Sequence, residues 1–110
     1  ALQDALKTTF VAENYEVFQA FDGDDGMAMA HEKKPDIILL DLVLPKKHGF
    51  EVLEELKKID DLKNIPVLVL TNLEESEEVM KAIELGARGY LIKANYALKD
   101  VLAKVKDILG

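Results

Sequence analysis

Three residues of different chemistry each follow a short run of aliphatic residues. Asp41 comes after "IILL", Thr71 after "VLVL" and Lys93 after "YLI". A carboxylate, a hydroxyl and an ammonium group at one place suit phosphoryl chemistry better than acid–base hydrolysis. The carboxylate can attack a phosphorus atom as a nucleophile, while the hydroxyl and the ammonium bind the transferred oxygens. Metal ions usually neutralise the charge that remains.

The helices and strands that must position these residues can be predicted from the spacing of apolar residues, which changes along the chain between two patterns. Segments with helical spacing alternate with short runs rich in aliphatic, β-branched or aromatic residues, which indicate strands. The two longest runs are continuously apolar, as is typical of strands that are covered on both faces. Strands are predicted at residues 15–21, 36–44, 65–71 and 89–93, and helices at 2–14, 24–33, around 50–56, 79–86 and 98–109.

Helices that alternate with buried strands predict parallel pairing through right-handed crossovers, with helices on both faces of the sheet. Chemistry in this architecture collects at the carboxyl ends of strands, so Asp41, Thr71 and Lys93 should converge at one edge. Each residue alone also has an ordinary structural explanation. An aspartate that ends a strand is often only a turn or capping residue, and Thr71 and Lys93 gain weight only together with Asp41.

Composition limits the possible functions. A chain of 110 residues with 49% apolar content can bury one core, which indicates a single soluble domain. The net charge of -7 disfavours direct nucleic-acid binding and anionic membrane surfaces. The sequence contains no cysteine, no run of membrane-spanning length and no secretory pattern, so we expect a cytoplasmic location.

Several motifs together carry a family resemblance. They are "AFDG" at 20–23, "PDIILLD" at 35–41, "IPVLVLT" at 65–71, "GARGYLIK" at 86–93, and Pro45 and Gly49 at successive four-residue steps after Asp41. With these motifs the chain resembles the receiver domain of bacterial two-component response regulators over essentially its whole length. The resemblance implies an α/β fold, namely a flavodoxin-like (CheY-like) doubly wound parallel sheet with helices on both faces.

The resemblance also implies roles for individual residues. Asp41 would be the phosphoacceptor, Thr71 the hydroxyl that follows the phosphoryl group, and Lys93 its ion-pair partner. Tyr90 would be an aromatic switch residue, although a tyrosine at this place can also be ordinary half-buried packing. The implied cofactor is Mg²⁺, with Asp41 and the backbone carbonyl of Val43 among its ligands.

The implied function is that of a signalling switch rather than a turnover enzyme. A histidine kinase or phosphotransfer protein would donate the phosphoryl group, and a face at about residues 75–109 would bind a downstream effector or a second copy in a homodimer. The alternative is a pseudo-receiver, a protein-binding module of the same fold that accepts no phosphate. A flavodoxin-like nucleotide-binding enzyme is disfavoured because the sequence lacks a glycine-rich phosphate loop.

The start of the chain departs from the family pattern. Receiver domains begin with a central strand that ends in an acidic pair, whereas this sequence starts at Ala1 in what reads as the first helix. We therefore expect residues 1–110 to be an N-terminally incomplete receiver domain whose further acidic Mg²⁺ ligands lie upstream of Ala1. Without that strand, residues 15–21 and 36–41 must pair directly, borrow a strand, or leave backbone groups unpaired.

Overall fold

Two helices precede a regular alternation of strands and helices in the computed structural model, which describes residues 2–41, 49–71, 76–92 and 97–110. Within those ranges, no helix is long and apolar enough to cross a membrane. The elements are α1 (Leu2–Ala12), α2 (Gly23–Lys33), β1 (Ile38–Asp41), α3 (Gly49–Lys58), β2 (Val67–Thr71), α4 (Ser76–Glu84), β3 (Gly89–Ile92) and α5 (Leu98–Leu109).

The described strands form one parallel sheet in the order β1-β2-β3. Ile38 of β1 lies opposite Val67 of β2, and Leu68 of β2 lies opposite Gly89 of β3. Each connection between neighbouring strands contains a helix, as parallel pairing requires. The predicted architecture of a parallel sheet between helices is therefore confirmed.

Successive side chains of β1 and β2 point into two separate cores, one on each face of the sheet. This alternation explains why both strands are continuously apolar, because every position is covered by a helix layer. The α2/α3 core contains Met27, Ala30, Leu40, Phe50, Val52, Leu53, Leu56, Leu62, Val67, Val69, Ala82 and Ala87. The α1/α5 core contains Leu6, Phe10, Leu68, Leu70, Val101 and Val105.

Helix ends lie within three residues of those that the sequence predicts. Asn14 follows α1 with φ of 69°, a left-handed conformation that asparagine tolerates. Asp22 caps α2, because its carboxylate accepts a hydrogen bond of 2.9 Å from the Asp25 amide. Lys34 ends α2 with φ of 43° before Pro35, and Gly86 ends the α4 region with φ of 105°. The strand boundaries therefore follow from well-defined helix stops.

The strand predicted at residues 15–21 is wrong. Among the described residues, no backbone–backbone hydrogen bond joins residues 16–20 to another segment. The alternation that suggested a strand is nevertheless present. Val17 packs against the α1/α5 core, whereas the Phe18 ring lies 5.2 Å from the Lys33 ammonium of α2. A strand also needs a neighbouring strand, and no described strand lies beside this segment.

Lys57 of α3 anchors the connection between α3 and β2 and packs against the turn that follows α4. Its ammonium donates hydrogen bonds to the carbonyl oxygens of Lys63 at 3.1 Å and Ile65 at 3.4 Å. Burial and the nearby charge of Arg88 lower the pKa of Lys57 below its ordinary value. Its stem passes so close to Gly86 that an added Cβ would lie 2.9 Å from Lys57 Cε. Glycine is therefore required at position 86 for two reasons, the left-handed backbone conformation and the close approach of the Lys57 stem.

We expect Gly86→Ala to lower the free energy of unfolding by about 1–3 kcal/mol, because alanine is strained at this φ and its Cβ meets the anchored Lys57 stem. Denaturant unfolding followed by circular dichroism measures the change.

Gly26→Ala is the matched control. Gly26 lies inside α2, where an added Cβ has only an ordinary contact of 3.9 Å with Ala20 Cβ. Alanine favours helix, so this variant should be neutral or more stable by up to about 1 kcal/mol. An equal loss of stability in both variants would contradict the role of Gly86.

Candidate functional site

Asp41 and Thr71 end adjacent strands on the same edge of the sheet, as predicted. Asp41 is the last residue of β1 and Thr71 the last residue of β2. The ladder places Asp41 opposite Leu70, so Thr71 lies one residue beyond it. Standard strand spacing then separates the two Cα atoms by about 6 Å. The backbones of the two residues therefore lie side by side at one edge of the sheet.

The end of β3 is offset from the end of β2 in the same direction. Thr71 lies opposite Ile92, which directly precedes Lys93 in the chain. Lys93 and Val43 lie outside the described residues, and the structure describes the backbone of Thr71 but not its side chain. The placement of the ammonium and of the Val43 carbonyl thus stays a prediction.

Asp41 is half-buried and lines a cavity of about 430 Å³, which we call the groove. Two segments contribute most of its lining, namely residues 15–23 as a first wall and residues 37–41, which include β1, as a second wall. Asp22 lies at the carboxyl end of the first wall and Asp41 at the carboxyl end of the second. The groove could not be predicted from sequence patterns, because a cavity forms where segments that are distant in the chain pack without filling the space between them.

The described residues alone do not fit a complete Mg²⁺ site. No group of three or more Asp, Glu or His side chains within the described ranges could hold a metal ion. Asp22 lines the same groove as Asp41, but its carboxylate caps α2 through the Asp25 amide. Among the described strand ends, Asp41 then provides the one carboxylate, whereas Mg²⁺ demands a nearly octahedral set of oxygen ligands.

The α4–β3 side of the molecule exposes large apolar side chains. Tyr90 of β3 is 42% exposed, and Met80 and Ile83 of α4 are 60% and 46% exposed. Leu91 packs towards the α1/α5 core, so its neighbour Tyr90 points to the other face of the sheet. Sequence reasoning had selected Tyr90 but missed Met80. The spacing of Met80 and Ile83, three residues apart and flanking the buried Ala82, was the available signal.

Two lysines of α5, Lys99 and Lys106, have different surroundings. Lys99 is exposed, whereas the Lys106 ammonium lies 2.8 Å from a carboxylate oxygen of Glu13, just after α1. The hydrogen bond and the charge of Glu13 raise the pKa of Lys106 above its ordinary value. Lys106 therefore ties α5 to the end of α1 instead of extending freely from the α4–β3 side.

Comparison with known proteins agrees with this geometry. The family model described as "Response regulator receiver domain" matches residues 1–106. The chain is 37% identical over 109 residues to the DNA-binding dual master transcriptional regulator RpaA of Synechocystis, covering 99% of this chain and 45% of that protein. The chain thus spans less than half the length of that curated relative.

Solved structures of the same kind share the fold. The chemotaxis protein CheY4 of Vibrio cholerae matches with a TM-score of 0.89 and 26% identity, over 96% of this chain and 88% of CheY4. The Mn²⁺-bound form of the response regulator Rcp1 matches with a TM-score of 0.69 and 42% identity, over 84% of this chain and 71% of Rcp1. These matches confirm the CheY-like fold class.

We expect the 110-residue chain to bind Mg²⁺ weakly in the absence of phosphate, with saturation at roughly millimolar concentrations or above. Asp41→Asn should weaken binding about tenfold further, because it removes the one carboxylate available at the strand ends. Calorimetric titration with MgCl₂ measures both affinities.

Asp22→Asn serves as the control, because asparagine caps a helix as well as aspartate does. This variant should bind Mg²⁺ like the original chain. Micromolar affinity, or an equal loss on changing Asp22, would show that the groove carboxylates act together as ligands.

Proposed function

Because the chain belongs to the family of response regulator receiver domains, we propose that it is the phosphoacceptor module of a two-component signalling protein, with Asp41 as the acceptor. The observation that carries this proposal is the position of Asp41. It is half-buried at the carboxyl end of β1, in ladder register with the end of β2 where Thr71 lies. Ligands of open parallel sheets bind at this edge.

The proposed reaction is one phosphoryl transfer. A carboxylate oxygen of Asp41 attacks the phosphorus of a phosphohistidine on a histidine kinase or phosphotransfer protein. The new P–O bond forms as the P–N bond breaks, and the imidazole leaves with the electron pair and takes up a proton. The product is an acyl phosphate on Asp41. Hydrogen bonding from the Thr71 hydroxyl and the charge of the Lys93 ammonium would stabilise the phosphoryl oxygens.

The proposed cofactor is Mg²⁺, which would offset negative charge between the carboxylate and the phosphoryl group when bound. Asp41 and the backbone carbonyl of Val43 are the proposed ligands within the sequence. Phosphate oxygens, water and carboxylates outside the described residues would complete the set, since Mg²⁺ prefers such a mixture.

The proposed output is a change in protein binding and not catalytic turnover. A phosphoryl group on Asp41 would draw the Thr71 hydroxyl towards it at the end of β2. Tyr90 lies opposite Val69 on the adjacent strand, where it can respond to such a shift. The exposed apolar side chains of α4 and β3 belong to the proposed face at residues 75–109, which would bind an effector or a second copy in the cytoplasm.

A pseudo-receiver that binds partners without accepting phosphate is the second candidate. The small number of carboxylates at the described strand ends favours it, because phosphoryl transfer to a carboxylate depends on charge neutralisation. The two functions share a fold and differ in whether Asp41 reacts.

We expect Asp41 to be the sole residue that takes up phosphate from acetyl phosphate in the presence of Mg²⁺, in a version of the chain that carries the acidic Mg²⁺ ligands expected upstream of Ala1. Asp41→Asn should reduce uptake to background, because an amide is not a comparable nucleophile. Intact-mass spectrometry of the chain after incubation with the donor measures uptake directly.

Asp36→Asn is the matched control, since Asp36 is an exposed aspartate five residues earlier in the same segment. This variant should be phosphorylated like the original chain. Equal uptake by the Asp41→Asn variant would refute the acceptor assignment, and no uptake by any variant would favour the pseudo-receiver.

We expect beryllofluoride, which mimics a phosphoryl group on aspartate, to shift the amide resonances of Tyr90 and of exposed α4 and α5 residues such as Lys99. The physical reason is that a switch has two conformations, and the phosphoryl group stabilises one of them more than the other. Heteronuclear NMR spectra with and without beryllofluoride provide the measurement.

Lys106 provides an internal comparison in the same spectra. It is held by Glu13 beside α1, so its shift should be smaller than that of Lys99. Shifts confined to residues next to Asp41 and Thr71 would contradict a transmitted switch.

A further inference from the structure

A cation–π contact joins helices α3 and α4. The Lys81 ammonium of α4 lies over the Phe50 ring, 4.7 Å from its centroid. Phe50 belongs to the first turn of α3 and is part of the α2/α3 core, whereas Lys81 is exposed to solvent. The contact is attractive because the cation faces the electron-rich surface of the ring, and at an exposed site the attraction is weak. It is therefore strong enough to favour one helix position and weak enough to open.

The two helices that this contact joins are those that follow the two described site residues. Asp41 ends β1 and leads through residues 42–48 to α3, and Thr71 ends β2 and leads through residues 72–75 to α4. A displacement at the ends of β1 and β2 would therefore be passed along the chain to α3 and α4. The contact lies between these helices, so it resists a change in their relative position.

The carboxyl end of α4 is fixed to the sheet. The Ala87 amide donates a hydrogen bond of 2.9 Å to the Ala82 carbonyl oxygen and closes the last turn of α4. The Arg88 amide donates one of 2.9 Å to the Val67 carbonyl oxygen, which joins this turn to β2. Backbone hydrogen bonds in a packed turn are costly to break. α4 therefore has a fixed end about which it can turn.

We propose that the Lys81–Phe50 contact holds α4 in its observed position against α3, and that α4 turns about its fixed end when the contact opens. Met80 and Ile83 are exposed on α4, so this turn would change the apolar α4–β3 side of the molecule. Opening leaves no charge buried, because the ammonium is already exposed and stays hydrated.

The consequence for signalling rests on the proposed function. A phosphoryl group on Asp41 would draw the ends of β1 and β2 together, and α3 and α4 would follow them. The contact favours the unphosphorylated arrangement, so we expect it to oppose switching. Lys81 is then a positioning residue, which acts through α4 and does not touch the phosphoryl group.

Lys81 has a second explanation that involves no contact with α3. A lysine in a helix can pair with a carboxylate one turn away, which stabilises that helix alone. The effect of removing the charge would then be the same with and without the Phe50 ring. A cation–π contact predicts the opposite, since either change alone abolishes it.

The experiment is a double-mutant cycle on the two residues. Lys81→Gln removes the charge and keeps a residue that favours helix, and Phe50→Leu replaces the ring by another apolar side chain. Amide hydrogen exchange at Ala82 and Ile83, followed by NMR, reports the opening of α4. Exchange should be about two- to fivefold faster in Lys81→Gln than in the original chain, whereas in the Phe50→Leu background Lys81→Gln should add nothing.

Two variants and one reference site make the result specific. Lys81→Arg keeps a cation that stacks on aromatic rings, so it should exchange like the original chain. Lys99→Gln removes the same charge from an exposed position of α5 and should leave α4 unchanged. Leu68 lies in β2 between two described strands, and unchanged exchange there shows local opening rather than global unfolding.

A second measurement connects the contact with switching. Beryllofluoride is titrated into versions of these proteins that carry the acidic Mg²⁺ ligands expected upstream of Ala1. Lys81→Gln should bind it about two- to fivefold more tightly than the protein with the original lysine, because binding no longer has to open the contact. In the Phe50→Leu background the same change should not alter the affinity.

The outcomes separate the contact from the proposed function. Unchanged α4 exchange in Lys81→Gln, an equal effect with and without the Phe50 ring, or equally faster exchange at Leu68 would overturn the proposal. Faster α4 exchange with unchanged beryllofluoride affinity would overturn its role in switching. Failure of every version to bind beryllofluoride would instead refute the phosphoacceptor function, and the exchange measurements alone would then decide whether the contact holds α4.

Discussion

The parallel pairing of β1 with β2 is the interaction on which the candidate site depends. The ladder sets Asp41 opposite Leu70 and so places the carboxylate beside the end of β2. Alternate side chains of both strands are held in two cores, one under each helix layer. A slip of one residue would move every one of these side chains to the other face, so packing specifies the register strongly. The position of Asp41 is thus a consequence of burial as much as of its own chemistry.

The same strand also connects the site with the stability of the molecule. In the described part of the sheet, β1 is an edge strand that borders the groove, and Asp41 is its last residue. A strand that is paired on one side opens locally more easily than a strand that is paired on both sides. Any reaction at Asp41 depends on how firmly this strand is held, because phosphoryl transfer relies on fixed positions of the nucleophile and its partners.

The two sides of the molecule expose different kinds of side chain. α5 contributes the fully buried Val101 to the α1/α5 core and is joined to the end of α1 by the Lys106–Glu13 pair. Among the α4 side chains that the structure describes, Ala82 is buried whereas Met80 and Ile83 are exposed. Exposed apolar side chains that lie together are typical of binding surfaces. The α4–β3 side therefore suits a binding face better than the α1–α5 side.

The sequence by itself determined the features that depend on neighbours along the chain. Helical spacing, apolar strand runs and the stops at Asn14 and Gly86 are local. They predicted the helices, β1, β2 and β3, and they placed Asp41 and Thr71 at the ends of neighbouring strands. Only the tertiary structure decided that residues 15–21 form no ladder with another described segment, that a groove lies beside Asp41, and that Lys106 meets Glu13 from 93 residues away. Periodicity records which face of a segment is buried. Hydrogen-bond ladders, cavities and distant ion pairs depend on which segments lie side by side, and that is decided when the whole chain packs.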